Sequence, residues 1–168
     1  MIIAGQRGKT MNQILPADIS DAVEILELQK LAYKSEAALY DDWSIPPLTQ
    51  TLDEIKKEFG EMTFLKACDF GRLIGSVRAS INGGACNIGR LFVHPEFQHK
   101  GIGARLMLAI ETEFPHAKRF ELFTGSKSEG NIRLYERLGY RIFHTDRLSP
   151  QVELVFMEKF VPLRDLRP

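Results

Sequence analysis

Cysteine is scarce in this chain. Its 168 residues include only two, Cys68 and Cys86, which form no CxxC pair and lie beside no run of histidines. That argues against a disulfide framework and against a thiolate metal site, and both thiols read as reduced, small core or surface residues of a cytoplasmic protein. Long apolar runs are missing too. No stretch approaches the ~20 apolar residues of a membrane span, and no apolar segment follows Met1–Gly5, so neither a membrane anchor nor a secretory leader is expected. Charge of one sign is also lacking: 22 basic residues face 22 acidic ones. A balanced chain has no electrostatic reason to seek nucleic acid or an anionic membrane. His116 and His144 have no ligand-type companions, and no GxSxG occurs, so neither a metal centre nor a Ser-His-Asp hydrolase is expected.

What is present is the material of an ordinary globular domain. Hydrophobic residues make up 44% and charged residues 26%, a composition that buries a core and argues against disorder. Residues 1–10 read as a polar extension, residues 11–160 as a single domain and residues 161–168 as a tail. A short strand near residues 11–18 is stopped by Pro16. Asp18 then caps a helix, with Asp21 in its first turn and Ala22, Ile25, Leu28 and Leu31 expected on one buried face. Residues 40–50 break the pattern with two prolines and read as a loop. A short helix over residues 51–59 precedes two strands within residues 62–81, with a turn at Asp69-Phe70-Gly71. A third strand, entered through Asn82-Gly83-Gly84, runs to Val93. A helix is expected from about Gly101 to Phe114, with Ile102, Leu106, Ala109, Ile110 and Phe114 facing the core. A strand over residues 118–125, a helix ended by Gly139 and two closing strands complete the order βααβββαβαββ. This is a mixed α/β chain, antiparallel first and with one parallel crossover later.

The segment between the third strand and its helix carries the chemistry. In "VHPEFQHKGIGARLM", Val93 to Met107, two glycines stand one residue apart at the start of a helical pattern. A helix N-terminus offers unpaired N–H groups and partial positive charge, which suit a phosphate, and glycine lets the main chain come close. The third glycine of a dinucleotide fingerprint is missing after Gly101 and Gly103, and no Gly-Lys-Ser/Thr of a P-loop follows. A plain strand-to-helix turn, with Gly101 present for its dihedral angles, is the other reading of the glycines alone.

Val93-His94-Pro95 followed by Gln98-His99-Lys100-Gly101-Ile102-Gly103-Ala104 resembles the core motif of the GNAT superfamily of N-acetyltransferases: an apolar strand ending Val-x-Pro, then Gln/Arg-x-x-Gly-x-Gly/Ala, then a helix. Downstream, "NIRLYERLGYRIF" resembles the family's second signature, with Tyr135 four residues after Asn131. The element order also matches, from about Met11 to Glu158. The resemblance implies the GNAT-type acyl-coenzyme A N-acyltransferase fold, a mostly antiparallel sheet of six or seven strands with helices on both faces.

The resemblance further implies acetyl-coenzyme A as cofactor. The main chain of Gln98, His99, Lys100, Gly101, Ile102, Gly103 and Ala104 would cradle its pyrophosphate. Leu91, Phe92 and Val93 would bond the pantetheine arm in a gap between this strand and the next, as an added strand, and the Val93 N–H would face the acetyl oxygen. Asn131 would bond the pantetheine or the attacking side of the site. Tyr135, one helical turn on and so on the same face, would assist the departing thiolate. Tyr135 has a second reading as a core aromatic, and Arg133 and Arg137 read as solvent-facing charges. Many relatives carry a glutamate a few residues before Val-x-Pro. Here "ACNIGRLFV" offers Asn87 and Arg90 but no acid, so the general base stays unassigned. For the acceptor, Tyr40, Asp41, Asp42 and Trp43 suit a cationic amine, or form a solvated loop with one anchored tryptophan. The expected activity is transfer of an acetyl group to a primary amine of a small molecule or protein in a ternary complex, by a cytoplasmic monomer or homodimer with no metal. The alternative is a non-catalytic acyl-coenzyme A sensor of the same fold.

Overall fold

The computed structural model describes residues 11–162. The expected extension over residues 1–10 and most of the tail, residues 163–168, lie outside the described residues.

Seven strands form one sheet in the order β1-β2-β3-β4-β5-β7-β6. They are β1 (Gln13–Pro16), β2 (Thr63–Asp69), β3 (Arg72–Asn82), β4 (Ala85–Val93), β5 (Arg119–Gly125), β6 (Arg141–Arg147) and β7 (Glu153–Phe160). The first four pair antiparallel in sequence order. Their two tight connections use left-handed residues, Phe70 and Gly71 in one and Gly83 and Gly84 in the other, the dihedral requirement of a two-residue hairpin turn. The β4–β5 pair is parallel and is bridged by α5 (Ile102–Thr112). Strand β7 inserts antiparallel between β5 and β6.

Helices cover both faces, as the sequence resemblance implied. On one side α1 (Ala22–Ala32) and α4 (Leu52–Phe59) bury Ile25, Leu28 and Ile55 against Phe64 and Phe92. On the other, α5 contributes Ile102, Leu106, Met107 and Ile110 to the larger core, where Tyr135 of α6 (Glu129–Arg137) joins them. Both α4 and the turn before α1 begin with capping boxes, Thr51 with Glu54 and Asp18 with Asp21, each closing two orphan donors. Cys68 and Cys86 are free and buried.

Four expectations are corrected. Leu31 is 40% exposed; steps of three lag the helix period by about 60° each, so by Leu31 the pattern has rotated to the solvent side, and Gln29 and Ala32 are buried instead. The first helix breaks at Tyr33 and resumes as α2 (Lys34–Tyr40), and the proline-containing loop holds one helical turn, α3 (Pro46–Thr49), because proline is accepted at the first helical positions. Phe114 lies beyond α5 although it still packs on the core.

The feature that shapes the site is a short ladder. Strands β4 and β5 pair only through Ala85, Cys86 and Asn87 against Arg119, Phe120 and Glu121. Beyond that they diverge, and residues 88–93 of β4 have no strand partner on the β5 side. A bulge marks the divergence: Val77 of β3 opposes both Arg90 and Leu91 of β4, and Arg90 takes a left-handed φ of 49°. A bulge of this kind re-aims a side chain that regular alternation would send to the other face.

Candidate active site

Two cavities meet at the divergence. The larger, about 980 Å³, lies between the end of β4, the start of α5 and α6. The smaller, about 450 Å³, lies between the diverging strands and the α2–α3 region. Tyr33, Glu36, Leu91 and Asn131 line both, so these four residues mark where contents of one cavity would touch contents of the other.

The larger cavity collects most of the motif residues. Leu91, Phe92, Val93, Gln98, His99, Gly101, Ile102, Gly103 and Ala104 line it. Lys100 does not; its Nζ sits 5.2 Å from the Phe97 ring centroid. The turn is built for close approach. His99 and Gly101 are both left-handed, and a Cβ at Gly101 would meet no protein atom within 4 Å. Gly101 thus serves its dihedral angle and leaves the mouth of the turn open. Gln98 Nε2 donates to the Val93 carbonyl at 3.2 Å, tying the turn to the strand end. The first N–H groups of α5 have no intrahelical acceptor. Arg133 and Arg137, read from sequence as solvent-facing, also line this cavity.

Across the divergence a hydrogen-bonded chain fixes the second wall. The Lys127 N–H donates to the Tyr40 hydroxyl at 2.8 Å, Tyr40 and Ser128 hydroxyls lie 2.9 Å apart, and Ser128 Oγ donates to Glu36 Oε2 at 2.6 Å. Ser128 has one proton, committed to the carboxylate, so Tyr40 must donate to Ser128. The direction runs from backbone amide to carboxylate. Gly125, at the end of β5, has no room for a side chain because a Cβ would collide with the Tyr40 ring and hydroxyl.

The remaining acceptor-loop residues stand apart from the cavities. Of the four, only Tyr40 lines one. Asp41 takes a left-handed turn that ends α2. Asp42 accepts from the Ser44 hydroxyl and N–H, which hold its carboxyl below the ordinary range, and Trp43 is 57% exposed. A short side chain with a local donor folds back on its own turn rather than reaching outward.

Tyr135 is buried and lines the smaller cavity with Asn131. Burial pushes its phenol up, with smaller contributions from Tyr33 and Glu36. Burial likewise pushes Tyr33 up to about 12, partly opposed by Arg90; its hydroxyl lies 3.5 Å from the Leu91 carbonyl. Both phenols keep their protons through the neutral range. Sequence reasoning missed Tyr33 and Glu36. Their one available signal was helical spacing: they lie three apart, on neighbouring positions of one face, in a segment that carries no motif.

A family described as "Acetyltransferase (GNAT) family" matches residues 23–140. Among solved structures, the PaiA N-acetyltransferase of Thermoplasma acidophilum in complex with coenzyme A is similar with a TM-score of 0.76 at 21% identity, over 90% of this chain and 100% of that one. A ribosomal-protein-alanine N-acetyltransferase of Escherichia coli gives 0.77 at 16%, over 91% and 96%. YncA of Salmonella typhimurium, a putative acetyltransferase with acetyl-coenzyme A, gives 0.72 at 19%, over 95% and 96%. At these identities the likeness is one of fold. Among curated proteins, YqkA of Bacillus subtilis is 28% identical over 120 residues, which are 71% of this chain and 34% of YqkA. The chain therefore spans about a third of the length of this curated relative.

Proposed function

Given that the chain belongs to the acetyltransferase (GNAT) family of acyltransferases, we propose that it moves the acetyl group of acetyl-coenzyme A to a primary amine by direct transfer in a ternary complex. The observation that carries this reading is the divergence of β4 from β5 beside an open, left-handed turn at the head of α5. Residues 88–93 offer strand-edge groups to an extended amide-bearing arm. The Gln98–Ala104 turn offers main-chain N–H groups to a pyrophosphate, with Arg133 and Arg137 available to further phosphate charge. The co-substrate supplies an activated thioester, so that the new C–N bond forms as C–S breaks; two protons leave the ammonium nitrogen, one passing to the base and on to solvent and one balancing the proton that reaches sulfur.

The chain's own residues carry those protons in this reading. Glu36 lines both cavities, and its carboxylate, held by Ser128, takes the proton of the incoming ammonium directly or through water. It fills the place of the acid missing from β4. Tyr135, one helical turn from Asn131, donates its hydroxyl hydrogen toward sulfur. Its raised pKa favours hydrogen-bond donation over outright proton loss. The Val93 N–H faces the acetyl oxygen and stabilises charge that grows there.

Calorimetry with acetyl-coenzyme A, followed by thiol release over a broad panel of amines with products identified by mass spectrometry, tests the proposal. Binding with thiol release matched by acetylated amine is expected. Failure to bind acetyl-coenzyme A sinks it, and binding without release on any amine supports the sensor reading instead.

A further inference from the structure

The smaller cavity is lined by an arginine that forms no ion pair among the described residues. Arg90 lines it, re-aimed by the bulge that gives the residue its left-handed backbone. Its Nη1 is shut off from solvent with no hydrogen-bond partner among the described residues. Its neighbour Arg78 is in a different condition. Arg78 is paired with Glu58, which also accepts from Gln50 Nε2 at 2.8 Å, and its guanidinium lies over the Phe64 ring. Of the acids near the cavity, Glu58 is thus engaged by Arg78, and Glu36 by Ser128. Burial lowers the pKa of both arginines and Arg90 adds to the effect on Arg78, while Glu58 and Tyr33 act against it on both: two cations share one acid, and only Arg78 is paired with it.

A guanidinium nitrogen shut off from solvent without a partner is costly, and an anionic ligand at the same side chain would offset that cost. A guanidinium presents a planar fork matched to a carboxylate. Around it the lining is apolar, with Met62, Ile88, Leu122 and Leu154 among the walls. The cavity, about 450 Å³, suits a small molecule. The acids suggested by sequence as a lure for cationic acceptors, Asp41 and Asp42, line neither cavity.

Building on the proposed acetyl transfer, we infer that the acceptor is a small amine that also carries a carboxylate and an apolar body, as an apolar amino acid does, and that Arg90 receives the carboxylate. The acceptor enters the smaller cavity with its amine toward Glu36 and Asn131, where the two cavities meet. Specificity then comes from a ligand anion satisfying a protein cation, the arrangement in which an analogue lacking the group is rejected most strongly.

Matched acceptors test this: phenylalanine, phenylalaninamide and phenethylamine, and likewise leucine, leucinamide and isopentylamine. The free acid of at least one triple is expected to exceed its amide and its decarboxylated amine in kcat/KM by about tenfold or more. Arg90→Gln should erase that ratio and Arg90→Lys should retain part of it, both with acetyl-coenzyme A affinity preserved, which also reports that the variants fold. Equal or better turnover of the decarboxylated amines overturns the inference while leaving acetyl transfer intact. So does turnover confined to panel amines that lack a carboxylate. If no amine releases thiol, the transfer reading has failed. The anion site is then decided by calorimetry of the wild-type protein with N-acetylphenylalanine and N-acetylphenethylamine in the presence of coenzyme A. Preference for the acid upholds the site, and equal or absent binding overturns it.

Discussion

Ser128 Oγ donates to Glu36 Oε2 at 2.6 Å, joining the residue before α6 to the first turn of α2 across the mouth of the divergence. The bond leaves one carboxylate oxygen of Glu36 for a substrate or a water. Glu36→Gln keeps the size and can still accept from Ser128, but its amide takes no proton. Turnover should fall by about 10²-fold while acetyl-coenzyme A affinity holds. A variant with wild-type single-turnover rates would remove Glu36 from the reaction.

Tyr135→Phe removes one oxygen and keeps the ring that packs edge-on to Tyr140 at 6.1 Å. Turnover should drop by roughly 10²-fold, with a much smaller change in co-substrate affinity, because the interaction strengthens only as sulfur gains charge. The pH dependence has a definite sign. Burial raises the phenol pKa, so the donor stays protonated as pH climbs, and no loss of rate from tyrosine ionisation should occur below about pH 10. A basic limb below that pH that disappears in the Phe variant would contradict the assignment.

Gly103 separates fold from function. A Cβ there would meet the Leu134 side chain at 3.5 Å, an ordinary contact, and the residue lies inside α5. Gly103→Ala should therefore raise stability by roughly 0.5 kcal/mol. The motif admits alanine at this position, so the same methyl should leave acetyl-coenzyme A affinity within about twofold. Thermal melting and calorimetry on one protein check both; a loss of affinity of about tenfold would contradict the motif's fit to this turn.

Replacing Asp41 and Asp42 together with asparagine should leave the acceptor KM within about twofold, since surface charges outside a site are screened. A large rise in KM would bring the loop back into acceptor recognition.

Neither cysteine should react with an aromatic disulfide reagent in the native protein. Both are buried, and burial lifts the Cys86 thiol to about 12, so its thiolate is scarce at neutral pH. Thiol detected during turnover is then the coenzyme's alone. Rapid labelling of the folded chain would show that the core opens locally.

The parts of this molecule written in local chemistry were readable from the sequence. The Asp18 cap, the two glycine-bearing hairpin turns and the Gln98–Ala104 turn are each specified within a few residues, and each formed where the pattern put it. Leu31 failed because a three-residue count drifts around a helix. Glu36 and Arg90 were harder, for a different reason. Glu36 acquires its place from Ser128, 92 positions away, and Arg90 from a bulge set by pairing with β3. Neither a long-range hydrogen bond nor a strand register leaves a mark in the residues beside it. Asp41, Asp42 and Trp43 stand outside both cavities, and Asp42 spends its carboxylate on Ser44.

The brief contact of β4 with β5 has a consequence for the protein's lifetime. Any ligand that occupies the native gap and ignores the unfolded chain adds about 2.7 kcal/mol of stability at 100 times its Kd, a sizeable share of the roughly 5–15 kcal/mol that holds a typical domain together. Degradation draws on the unfolded population. If the proposed co-substrate occupies the gap, a cell rich in it would hold more of this protein than a starved one at the same rate of synthesis.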